Sequence, residues 1–282
     1  MGDSPTFSSP VLSVELSGAV AILWLDRPEA RNAMGESLWR DLPKAMEVLG
    51  HDPGVRAVVV AAKGPHFSVG LDLKEMGPLL SGIGAASGQG SSGAEKAVHA
   101  REDILRLQAA ITSVARCPKP VIAAVHGYCI GGGVDLIAAC DLRLASADAV
   151  FSVREAKVAI VADLGSLQRL PAIIGAGHVA ELAFTGKDIS AARAKEIGLV
   201  NDVAADAEGV QQAALAMAHE IAANSPLAVQ GTKAILAANE GRTVAEGLDY
   251  VATWNAGMLG SEDLVEAMKA FMERRAPTFT GR

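Results

Sequence analysis

The sequence predicts an α/β body followed by a helical C-terminal module, with the division near residue 200. Three observations carry this. Short apolar runs of buried-strand type, residues 55–61 and 120–126 among them, alternate with amphipathic stretches. Strand-strand-helix units recur through the first two-thirds, without any repeat at the level of sequence. From about residue 200 onward the apolar residues fall almost wholly at helical spacing.

Residues 1–10 are rich in Ser, Pro and Gly and read as a flexible leader. Residues 11–16 and 19–25 form a hairpin joined at Ser17-Gly18, which Asp26-Arg27-Pro28 ends. A helix follows on Met34, Leu38, Leu42, Ala45, Met46 and Leu49, with Pro43 placed to kink it or shift its start. The strand at 55–61 closes at Lys63-Gly64-Pro65. Residues 77–94 are too dense in Gly and Ser to hold a shape alone. They are expected to form a mobile loop, either a lid beside a site or a functionless insertion. A helix at about 97–115 and a strand at 120–126 lead into the glycine cluster Gly131-Gly132-Gly133, after which a helix starts near Val134. Strands at 141–145 and 149–153 precede helices at 166–174, 177–185 and 191–197. A strand at 199–203 opens the tail, whose helices span about 206–223, 226–239, 243–259 and 261–274.

The chain has 282 residues, half of them hydrophobic, which is enough for a packed core. Its formal charge of −7 excludes a broad basic footprint for nucleic acid, and no uncharged apolar run is long enough to span a membrane. Cys117, Cys129 and Cys140 match no zinc or redox spacing and read as buried free thiols in a reducing cytoplasm. With no visible signal peptide and a final Thr280-Gly281-Arg282 that is not a peroxisomal address, the expected location is cytoplasmic.

The chemistry gathers downstream of the glycine cluster. Asp135 follows it directly, Glu155 comes twenty residues later and Asp163 eight after that, each among apolar or small neighbours. Buried carboxyls have raised pKa values, so one can hold a proton while its neighbour accepts one. Singly, each acid has a plain alternative. Asp135 suits the first turn of a helix, Glu155 a surface pair with Arg154 or Lys157, and Asp163 a cap on the helix at 166. Gly127–Gly133 reads GYCIGGG, not a dinucleotide fingerprint, and there is no P-loop. A second glycine corner, Ser68-Val69-Gly70-Leu71, follows the strand at 55–61. Two such corners can aim two backbone N–H groups at one oxygen, each donor worth about 2.7–4 kcal/mol in a transition state. The histidines show no metal-ligand spacing, and no metal is expected.

The segments FSVGLDLKEM (67–76) and HGYCIGGGVDL (126–136) resemble the crotonase, or enoyl-CoA hydratase/isomerase, superfamily. DRPEARNAM (26–34) resembles its coenzyme A loop and FMERRAPTFTGR (271–282) its tail, so the likeness covers roughly residues 11–282. The resemblance implies a spiral of β-β-α units at 11–200 with the acyl-CoA site, and a C-terminal helical trimerisation module at 201–282. It implies a homotrimer or dimer of trimers and an acyl-CoA thioester substrate, with coenzyme A entering only as part of that substrate and no separate cofactor. It assigns the oxyanion-hole amides to Leu71 and Gly132. It carries substrate contacts over to Arg31, Ala33, Ser68, Val69, Gly70, Asp72 and Lys74. A typical hydratase in the family has Glu at position 135 and no acid at 163; the three acids here resemble those of Δ3,5-Δ2,4-dienoyl-CoA isomerase. The implied activity is movement of conjugated double bonds, in fatty-acid β-oxidation or a more specialised pathway, with Asp135, Glu155 and Asp163 as the catalytic acids. The alternatives are hydration of a trans-2-enoyl-CoA, or acyl-CoA binding without turnover.

Overall fold

The computed structural model describes residues 7–77 and 92–282. Residues 1–6 of the expected leader and most of the expected loop at 77–94 lie outside them.

The chain opens with β1 (Leu12–Ser17) and β2 (Val20–Leu25), an antiparallel hairpin in which Ser17 faces Val20 across Gly18-Ala19. Helix α1 (Glu36–His51) buries Leu38, Trp39, Leu42, Ala45, Met46 and Leu49 at helical spacing. It runs through Pro43 without losing its first turns, so the expected late start does not occur. Strand β3 (Ala57–Ala62) is buried at every residue, as a parallel strand covered on both faces must be.

Helix α2 (Gly93–Arg116) begins four residues earlier than its apolar pattern suggests. The cause is a capping box: the Ser92 hydroxyl accepts from Glu95 N–H while the Glu95 carboxylate accepts from Ser92 N–H. Strand β4 (Val121–Val125) leads to β5 (Tyr128–Ile130), a strand hidden inside the glycine-rich run. Helix α3 (Gly132–Ala138), β6 (Leu142–Ser146) and β7 (Val150–Ser152) follow. Next come α4 (Ser166–Ile174), α5 (Ala176–Thr185), β8 (Ile189–Ser190) and α6 (Ala191–Glu196). The chain then forms β9 (Asp202–Ala204), α7 (Ala207–Ala222), α8 (Pro226–Ala238), α9 (Val244–Met258) and α10 (Glu262–Glu273). The expected strand at 199–203 is displaced because Leu199 and Val200 pack into the core before pairing begins.

Six strands form one sheet in the order β1-β2-β3-β4-β6-β9, parallel from β2 onward, and β5-β7-β8 form a second. Alternate residues of β3 serve two cores: Val58, Val60 and Ala62 face the one that includes α1 and α2, while Ala57, Val59 and Ala61 face α7. On α7, Val210, Ala214, Ala218 and Ala222 recur every fourth residue and let the helix lie close on the sheet. Because β9 and α7 belong to the large sheet's layers, those layers continue past residue 200 to 222, and the chain leaves them only with α8. No helix among the described residues is long and apolar enough to cross a membrane.

Candidate active site

The two glycine corners meet because their segments pair. Phe67 N–H donates to His126 O, Ser68 N–H to Tyr128 O, and Ile130 N–H returns to Ser68 O, at 2.9, 2.9 and 3.0 Å. Gly70 has φ of +83°, and a Cβ there would stand 2.7 Å from Ile130 O and 3.4 Å from Gly132 N. Only glycine lets the first corner approach the second this closely. Met34 N–H donates to Gly70 O and Asp72 N–H to Met34 O, which leaves Leu71 N–H between them without a partner among the described residues. Gly132 N–H, in the first turn of α3, is likewise free there, as helix N-terminal amides are when nothing caps them. Two unspent donors thus lie on adjoining corners.

The acids converge on the same place from three elements. Asp135, in the first turn of α3, is 1% exposed, and its Oδ1 accepts from Ser166 N–H at 2.6 Å. Glu155 opens the short 3-10 turn after β7. Parallel pairing of β5 with β7, extended by Gly131 N–H donating to Ser152 O, brings that turn beside the glycine cluster. A Cβ at Gly131 would lie 3.2 Å from Glu155 Oε1. Asp163 stands in the irregular stretch before α4.

Burial pushes the Asp135 carboxyl up to about 6, against the pull of Ser166 N–H and with the Asp163 charge adding to the rise. Burial, then the charges of Asp135 and Asp163, push Glu155 up to about 7. Burial also raises Asp163. Glu155 Oε2 and the Ser166 hydroxyl are buried without a hydrogen-bond partner, so a carboxyl oxygen remains available for a proton. An array of this kind can remove a proton at carbon and return it elsewhere, while the two amides hold an anionic oxygen.

Two of the three acids, Glu155 and Asp163, do not take their plain alternatives. Arg154 pairs with Asp188 rather than Glu155, and α4 has no side-chain cap from Asp163. Asp135 is in the first turn of α3, and its carboxylate also takes up the first amide of α4. That amide was not legible in the sequence, because it comes from thirty-one residues downstream. Among the expected substrate contacts, Arg31 and Lys74 are exposed, while Ala33 and Val69 are half-buried. Ser68 is fully buried and its hydroxyl donates to Asn32 O, so it braces the corner and its side chain is closed to a ligand. Gly70 is buried too, its carbonyl spent on Met34. Asp72 is half-buried and paired with Arg27 at 2.8 Å. Among the described residues no group of His, Cys, Asp and Glu could hold a metal, and the three cysteines are free and buried. A groove of ≈ 1270 Å³ lies away from this site, between α7–α10 and the 138–142 turn, lined by Leu227, Val251, Trp254, Leu264 and Phe279.

Comparison with known proteins accords with this geometry. A family model described as enoyl-CoA hydratase/isomerase matches residues 15–282. The chain is 44% identical over 269 residues to an Arabidopsis thaliana protein named peroxisomal Delta(3,5)-Delta(2,4)-dienoyl-CoA isomerase, covering 95% of each. It is 42% identical over 277 residues to the Homo sapiens mitochondrial protein of that name, covering 98% of this chain and 83% of the other. Among solved structures, an enoyl-CoA hydratase from Bacillus anthracis superposes with a TM-score of 0.85 at 31% identity, covering 96% of this chain and all of the other. An enoyl-CoA hydratase from Mycobacterium tuberculosis H37Rv does so with a TM-score of 0.82 at 34% identity, covering 97% and 100%. The crotonase spiral expected from the sequence is therefore the fold.

The cytoplasmic location expected from the sequence is overturned, since the relatives' names place them in peroxisomes and mitochondria. The buried free thiols show only that the three cysteines are not paired with one another, which does not distinguish one reducing compartment from another. With the family model matched from residue 15 to the last residue and relatives above 40% identity along nearly the whole chain, the protein is an enzyme of the enoyl-CoA hydratase/isomerase family.

Proposed function

We propose that the enzyme converts a 3,5-dienoyl-CoA into the 2,4-dienoyl-CoA. The thioester oxygen accepts hydrogen bonds from Leu71 and Gly132 N–H. Glu155 takes the proton from C2, the C2–H electron pair enters the conjugated chain, and the negative charge rests on the thioester oxygen. Asp163 delivers a proton to C6, and the double bonds settle at C2 and C4. One proton leaves and one arrives, so the step needs no redox partner and calls on no cofactor. Asp135, held by Ser166 N–H, keeps its charge beside Glu155 and polarises the site. Arg31, Ala33, Val69 and Lys74 line the way for the coenzyme A part of the substrate, and Ser68, Gly70 and Asp72 brace that path.

The observation that carries this reading is Asp163. Its half-buried carboxyl acts on both Asp135 and Glu155, where an incidental surface acid would not. The isomerase names of relatives at 42–44% identity support the same choice over hydration. A homotrimer, or a dimer of trimers, is proposed through the C-terminal helices, supported by exposed Leu236, Leu248, Val265, Met268 and Phe271.

The test is a panel of 3,5-dienoyl- and trans-2-enoyl-CoA substrates followed by ultraviolet absorbance. The wild type should shift the diene, and Asp163→Asn should lose this activity while any hydration persists. Full isomerase activity in Asp163→Asn would refute the three-acid mechanism.

A further inference from the structure

Asp135 sits on a helix and Glu155 in a hydrogen-bonded turn, but Asp163 lies in the stretch 159–165, which has no regular structure. Apolar packing of Ala162 and Leu164 keeps this stretch in the core. Packing is non-directional and does not by itself set where the carboxyl between them points. Directional ties are supplied by α2. Gln108 Nε2 donates to Asp163 O at 2.6 Å. One turn further along the same face, Thr112 Oγ1 accepts from Arg169 Nη2 at 3.1 Å. Arg169 Nη1 reaches back to Leu164 O at 3.4 Å. Gly165 permits this: its φ is +128°, and a Cβ there would stand 1.8 Å from Arg169 Nη1. The guanidinium thus crosses the turn where a side chain would otherwise be. α2 is a firm base for both ties, since Leu107, Ala110, Ile111 and Val114 are buried.

We propose that Gln108, assisted by the Arg169–Thr112 tie, is a positioning residue that fixes the Asp163 carboxyl relative to Glu155. This rests on the reading of Asp163 as a proton carrier given above. Gln108 itself transfers nothing; it holds the main chain of the residue that does. A displacement of about 1 Å at a reacting group costs about a hundredfold in rate, so a single hydrogen bond from α2 has leverage on turnover far beyond its share of stability.

The experiment compares wild type, Gln108→Met and Thr112→Val. Methionine keeps the length and helix preference of glutamine and removes the donor; valine keeps the shape of threonine and removes the acceptor. The expected result for Gln108→Met is a 10- to 100-fold lower kcat, KM within about twofold of wild type, and an unchanged oligomer. Solvent deuterium should still exchange into C2 of the unreacted substrate while its incorporation at C6 of the product slows with kcat. Thr112→Val should show a smaller change of the same kind. In a crystal structure of Gln108→Met, Asp163 should be displaced from Glu155 by more than about 0.5 Å. The inference is overturned if kcat stays within about twofold, if C2 and C6 exchange fall together, or if the 163–165 turn superposes on wild type. A wild type that fails to isomerise any 3,5-dienoyl-CoA would overturn the functional reading instead, and the variant's coordinates would still decide the role of Gln108.

Discussion

Replacing Glu155 by glutamine should make the protein more stable at alkaline pH, by an amount that follows from the burial of its carboxyl. In the folded chain this group is pushed up from the ordinary 4.5 to about 7. Below pH 4.5 it is protonated in both folded and unfolded chains and carries no penalty. As pH rises from 4.5 through 7, the unfolded chain releases the proton first, so stability falls over that window and is level above it. The gap is about 2.5 pH units, and each is worth about 1.36 kcal/mol, so ionised Glu155 costs about 3 kcal/mol. Its partial exposure lowers this to about 2–3 kcal/mol. Glutamine keeps the shape and cannot ionise. Its removal of charge also relieves Asp135 and Asp163, which feel the same repulsion in reverse. Urea unfolding of both proteins at pH 4.5 and pH 8, compared as differences so that other groups cancel, should show the variant gaining about 2–3 kcal/mol on wild type between the two. A gain that does not change with pH, or one of opposite sign, would refute the placement of Glu155 in a buried acid cluster.

Four further outcomes follow from the same geometry. Activity measured as kcat/KM should rise with pH through about 7, as Glu155 ionises to become the base beside an already ionised Asp135, and should fall at higher pH as Asp163 loses the proton it delivers. Asp135→Asn should move the acid limb to lower pH, because the charge it removes holds Glu155 up; a profile unmoved by the variant would separate the two groups. Gly70→Ala should abolish turnover and lower the melting temperature, since its Cβ would meet Ile130 O at 2.7 Å in a backbone conformation at φ +83° that alanine resists; near-normal kcat would show that the two corners need not touch. Phe271→Glu, at a side chain 81% exposed in the single chain, should shift the mass seen by light scattering from a trimer or hexamer toward the monomer; an unchanged mass would move the interface elsewhere.

Much of the architecture was legible because its causes are local. The run Ala57–Ala62 is apolar at every position, and its six-residue length and three valines mark it as a buried strand. The four C-terminal helices fall within a residue or two of their expected limits, since Asp206, Ser225, Thr243 and Ser261 cap them in place. The glycines and the three acids could be read off as candidates because side-chain chemistry is a property of the residue. What tertiary structure alone decided was proximity. Parallel pairing of β5 with β7 carries Glu155 to Gly131, and no local pattern specifies which strands pair. Nor did any pattern foretell that Ser166 N–H would meet Asp135, that Gln108 would hold Asp163, or that β9 and α7 would extend the sheet's layers beyond residue 200. Residue type and spacing are written along the chain; desolvation, mutual charge and hydrogen-bond partners arise only when distant segments are brought within a few ångströms.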